Sequence, residues 1–98
     1  MAKVRFVATE LDGTKVWEID CPGCKYGHPF HVGGSRPNER WTFNGDLDAP
    51  TFAPSLLVNK DRPEGRCHSF VKKGNIQFLN DCFHDLKGQT VPLPDVEP

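Results

Sequence analysis

The chain has 98 residues, a formal net charge of −1 and a 37% hydrophobic share. That is one domain, near the size below which a hydrophobic core alone barely outweighs chain entropy, so a cross-link or a bound metal would help. The neutral balance without a basic run argues against nucleic acid as a partner, and the longest apolar run, Leu56-Leu57-Val58, is far too short to cross a bilayer.

Met1-Ala2-Lys3 leads straight into strand-like sequence with no apolar signal-peptide stretch, so a soluble cytoplasmic protein is expected. "KVRFVATELDGTKVWEID" reads as two β-branched and aromatic runs around Asp12-Gly13, a strong hairpin signal. Its second strand runs directly into Cys21. "HPFHV" suits a short strand, and "GGSRPNER" after it a surface loop. In "WTFNGDLDAPTFAPSLLV", Pro50 and Pro54 push their predecessors toward extended geometry. The result is a stiff segment lined by Trp41, Phe43 and Phe52, with these aromatics serving as core or as one wall of a peptide groove. "CHSFVKKGNIQFL" is a second hairpin turning at Gly74, and "NDCFHDLKG" a single helical turn stopped by Gly88. "QTVPLP" closes as a short strand. The expected fold is mainly β (small α+β): two antiparallel hairpins joined around a zinc knuckle, with one short helical turn near the C-terminus. Residues 1–94 form a single domain and 95–98 a frayed tail.

In a reducing compartment, four cysteines read as metal ligands or free thiols rather than disulfides. Cys21-Pro22-Gly23-Cys24 has knuckle spacing: Pro and Gly supply the sharp turn that lets two thiolates converge on one tetrahedral ion. A thioredoxin-like dithiol would instead open a long helix, which "KYGHPFHVGG" cannot form. The remaining ligands must come from far along the chain. Cys67 begins its strand just after a loop. The fourth position depends on hairpin register, and Cys82, His28, His68 and His84 all stand as alternatives. Sulfur-rich ligation points to Zn2+ in a structural role.

"CPGC…H", "WTFNG…PTFAPSLL", "CHSFVKKGNIQFLNDCFH" and "LKGQTVPLP" together resemble a family of small bacterial and phage zinc-binding domains of unknown function, sometimes mislabelled ammonia monooxygenase. The resemblance covers roughly residues 17–95. That enzyme label does not suit a chain with no membrane span and a thiol-rich site. More distant relatives are regarded as peptidases in bacterial ubiquitin-like conjugation operons. Their metal set, two cysteines followed by a cysteine and a histidine before the glycine turn, implies Cys21, Cys24, Cys67 and His68 here. In this chain the Cys and His are adjacent where the relatives space them, which keeps Cys82 in contention.

Two functions stand as expectations. One is a zinc-stabilised interaction module of phage or mobile-element type, offering the Trp41–Ser55 segment to a protein partner. The other is a zinc-dependent hydrolase or peptidase acting on ubiquitin-like or other extended substrates along the same segment, with Asp81 and His84 as the catalytic acid/base pair.

Overall fold

The computed structural model describes residues 2–35 and 40–96. The 36–39 part of the expected surface loop and the 97–98 part of the expected tail lie outside the described residues. Two antiparallel sheets form, each in chain order. The first holds β1 (Arg5–Thr9), β2 (Lys15–Asp20) and β3 (Gly27–Val32). The second holds β4 (Thr42–Phe43), β5 (Phe52–Val58), β6 (Cys67–Lys72), β7 (Asn75–Phe78) and β8 (Thr90–Pro92). The mainly β expectation holds.

Local chemistry explains both hairpins. In the first, the Asp12 carboxylate accepts the Thr14 N–H at 2.9 Å, and the Arg5 guanidinium forks to Glu18 and Asp20 across the strands, 2.6 Å from each. In the second, Lys73 and Gly74 carry φ of 50° and 81°, the left-handed pair of a two-residue turn. Lys72 therefore faces Asn75 and Val71 faces Ile76. This register decides every facing on β6: Cys67, Ser69 and Val71 are buried, whereas His68 and Phe70 lie on the outer face.

The sheets meet over stacked aromatics. Phe30 of β3 lies 4.1 Å from Phe52 of β5, Phe43 stacks on the same ring at 4.6 Å, and Trp41 sets its edge against Phe30. Phe52 is core, with Trp41 and Phe43 packed partly buried against it. A parallel bridge between Val32 and Trp41 links the two sheets, with the Trp41 N–H on the His31 carbonyl.

Two irregularities interrupt this regular pairing. Between the pairs Phe52–Val71 and Leu56–Ser69, β5 advances four residues while β6 advances two. The surplus on β5 forms a bulge at Ala53-Pro54-Ser55, which contains a cis peptide before Pro54. The second irregularity is residues 80–88, which fold as successive turns and not as the expected helical turn. Their bonds are short-range (Cys82 N–H to Leu79 O, Lys87 N–H to His84 O), while the Cys82 and His84 side chains are engaged elsewhere. The 3-10 turn of the described residues is Pro63–Gly65, ahead of β6. At the C-terminus, the Val96 N–H reaches the Ala2 carbonyl at 2.9 Å, and Asp95 pairs with Lys3.

Ser69 is fully buried on the inner face, and its hydroxyl has no partner among the described residues. Removing an unpaired buried hydroxyl removes its desolvation cost, so Ser69→Ala should raise stability by about 1 kcal/mol. A denaturation midpoint that moves down would contradict this.

Candidate functional site

Cys21 leaves the end of β2, Cys24 comes next across the Pro-Gly turn, Cys67 starts β6, and His84 sits in the turn region after β7. Their ligand atoms all lie within 4.8 Å of one another. A tetrahedral ion with sulfur at about 2.3 Å and imidazole nitrogen at about 2.0–2.1 Å requires edges of about 3.8 Å between sulfurs and about 3.6 Å from sulfur to nitrogen. The Cys21–Cys67 sulfurs stand 4.0 Å apart, and His84 Nε2 is 3.6 Å from the Cys67 sulfur. The donor set and its spacing fit one metal ion, which these four residues could hold.

The surroundings favour the same arrangement. The Cys24 N–H points at the Cys21 sulfur at 3.3 Å, as expected of a knuckle turn. His84 is buried, its ring edge-on to Phe78 at 4.4 Å. A Cβ at position 23 would collide with the His84 imidazole, so the glycine admits the fourth ligand as well as making the turn. The Leu86 N–H lies 3.3 Å from His84 Nδ1. An ion on Nε2 puts the ring proton on Nδ1, so this long contact would be given up.

The electrostatics of the thiols suit a bound cation. The Cys21 thiol is lowered to about 3, chiefly by hydrogen bonding from Cys67, with His28 assisting. Cys67 is pushed up by that same Cys21 contact and by burial, and Cys24 rises to about 11 through burial and the Cys21 charge. Burial and mutual repulsion thus resist ionising all three sulfurs together, and a divalent ion would offset that cost.

His68 lies outside this cluster. Successive residues of a strand face opposite sides, so the Cys67 sulfur turns inward while the adjacent His68 imidazole turns outward. There His68 Nε2 is 3.2 Å from Ser55 Oγ, and His68 Nδ1 is 3.2 Å from Asp81 Oδ2. Ser55 is half-buried at the end of the β5 bulge, with the Trp41 indole N–H on its carbonyl at 3.4 Å. The His68 and Asp81 side chains are 26% and 43% exposed, so the line opens to solvent on the sheet face.

The structure therefore separates residues that their sequence spacing groups. Cys21, Cys24 and Cys67 come together with His84 and not with His68. Asp81 and His84, expected as one acid/base pair on a helical turn, part company, Asp81 toward His68 and His84 toward the thiols. His28 is buried near Cys21, its Nε2 without a partner among the described residues, and Cys82 bonds the His68 main chain. Sequence reasoning misses Ser55. No local motif marks it, and its place beside His68 emerges only from the bulge and the β5–β6 register.

Separate histidine roles give a direct check. His84→Ala should strip bound metal from the purified protein, whereas His68→Ala should leave metal content near one equivalent by elemental analysis. Equal losses in both variants would contradict this division.

A Ser–His–Asp line with both hydrogen bonds in place is the constellation of the serine hydrolases. A family model described as bacterial ubiquitination-like system serine protease (BubE) matches residues 2–79. The chain belongs to this family. The matched span includes Ser55 and His68 and stops two residues before Asp81. Comparison with curated proteins and with solved structures finds no match.

Proposed function

We propose that this domain is a serine peptidase of a bacterial ubiquitination-like system, cutting an extended segment of a ubiquitin-like protein, with Zn2+ held in a structural role. The observation that carries the reading is the continuous Ser55–His68–Asp81 line, with both contacts at 3.2 Å. Family membership supports the protease class over an interaction module.

The line itself dictates the chemistry. Ser55 Oγ attacks the scissile carbonyl carbon while its proton passes to His68 Nε2. Asp81 accepts the Nδ1–H, holding the imidazole in the tautomer that leaves Nε2 free and stabilising the imidazolium that forms. His68 then donates its proton to the departing amine, leaving an acyl-Ser55 ester. A water deprotonated by His68 hydrolyses that ester and regenerates the serine. Contacts of 3.2 Å without substrate are within the range seen before such sites close on one.

Three thiolates and an imidazole would make up the full four-ligand set of a structural zinc, so zinc held there would supply structure rather than an activated water. Cys67 precedes the base His68, and His84 lies three residues after Asp81. A metal held by this set would thereby fix the two segments that carry the base and its orienting carboxylate. Substrate access suits the Trp41–Ser55 segment: β4 is an edge strand of two residues, and an extended chain can add its main-chain hydrogen bonds there.

The test is incubation of metal-loaded protein with a ubiquitin-like protein extended beyond its conjugating C-terminus, with products read by mass. Cleavage by the wild type and none by Ser55→Ala is expected. Cleavage that persists without Ser55 would contradict serine chemistry.

A further inference from the structure

Cys82 is a buried thiol outside the metal cluster. Its sulfur lies 3.1 Å from the His68 main-chain nitrogen and 3.1 Å from the His68 carbonyl oxygen. One thiol serves both contacts, accepting the N–H through a sulfur lone pair and donating its own S–H to the oxygen.

The need for such a group comes from strand pairing. β7 pairs with β6 only as far as Ser69–Phe78. Beyond that point the Leu79 N–H reaches the His68 carbonyl at 2.9 Å, and the Phe83 N–H reaches the Arg66 carbonyl at 2.9 Å. Between these two bonds the turn leaves β6, and the His68 N–H would lack a partner. The Cys82 side chain fills that gap. It is also the residue next to Asp81, so the same clamp that holds the backbone of His68 locates the carboxylate facing its Nδ1.

We infer that Cys82 is a positioning residue for the Ser55–His68–Asp81 line, tying base and orienting carboxylate together through the His68 main chain. This rests on the serine-peptidase reading of the site. Its action is on the alignment of the imidazole, so it touches neither the substrate nor the metal.

The probe is diisopropyl fluorophosphate, which needs no knowledge of the natural substrate. Ser55 Oγ would form a bond to phosphorus as the P–F bond breaks, with the serine proton leaving through His68 and fluoride departing. The labelling rate reports how well the base is aligned. Cys82→Ala loses both contacts and should label about tenfold more slowly or worse, with metal content unchanged. Cys82→Ser keeps a donor and an acceptor and should label within about threefold of wild type. This rescue is what a merely space-filling role would not produce.

If Cys82→Ala labels as fast as wild type, the inference fails while the serine reading stands. If wild type labels no faster than Ser55→Ala, the serine reading fails and takes this inference with it. Should Cys82→Ala not fold, the serine variant decides: rapid labelling supports the clamp, and labelling about tenfold slower than wild type overturns it.

Discussion

Ser55→Ala should reduce cleavage of an extended ubiquitin-like substrate by about 10⁴-fold or more, because it removes the hydroxyl that faces His68 Nε2 and would form the acyl intermediate. Asp81→Asn should cost less. A buried orienting aspartate is worth about 10⁴ in turnover, but Asp81 is 43% exposed and water can partly replace it, so a loss between about 10² and 10⁴ is expected. Neither change should move the thermal midpoint much, since both side chains are partly or largely exposed. Steady-state rates set against thermal melts would read both effects. Asp81→Asn with undiminished turnover would remove the carboxylate from the mechanism.

Removing the metal should have the larger effect on the fold. Cys21 and Cys24 lie in the turn that follows β2 of the three-stranded sheet, Cys67 starts β6 of the five-stranded sheet and His84 sits in the turns after β7, so a metal held by the four would join the two sheets. Structural zinc contributes about 10–16 kcal/mol of apparent binding energy, against a total stability of about 5–15 kcal/mol for a typical domain. A strong chelator, or Cys24→Ser, should therefore lower the midpoint by about 15 °C or more or abolish the cooperative transition. Activity should disappear with the fold. The pH dependence has a definite sign. Cys24 and Cys67 are raised, so at neutral pH each must lose a proton to bind, and uptake of one ion should release about two protons. Acid restores those protons, so metal affinity should fall as pH falls. A midpoint unmoved by chelator would show that the cluster is not what joins the sheets.

Turn chemistry made most of the fold legible. Asp12-Gly13 and Lys73-Gly74 force their hairpins through local dihedral preference, and Pro22-Gly23 brings Cys21 and Cys24 together within one turn. What escaped depended on geometry beyond a local window. The fourth metal-site member turned on the path of residues 80–88. There, Asn80 or Asp81 as a cap and Gly88 as a stop suggested a helical turn, but the Cys82 sulfur and the His84 ring are held by β6 and the thiols, and the backbone closes into successive turns instead. The family resemblance implied Cys67 and His68 as two ligands for one ion, although the two are adjacent here. Strand alternation sends them to opposite faces, so one joins the buried cluster and the other the exposed line. Ser55 was hidden for a third reason. The prolines around it announced extended backbone, which is what β5 has, but only the bulge fixes which residue of the segment stands beside the imidazole.

The most direct test is peptide mapping by mass spectrometry after treating metal-loaded protein with a fluorophosphonate. A single adduct on Ser55 is expected in wild type, with none in His68→Ala and a weakened signal in Asp81→Asn. An adduct on any other residue, or equal labelling of Ser55 with and without His68, would contradict the Ser55–His68–Asp81 assignment.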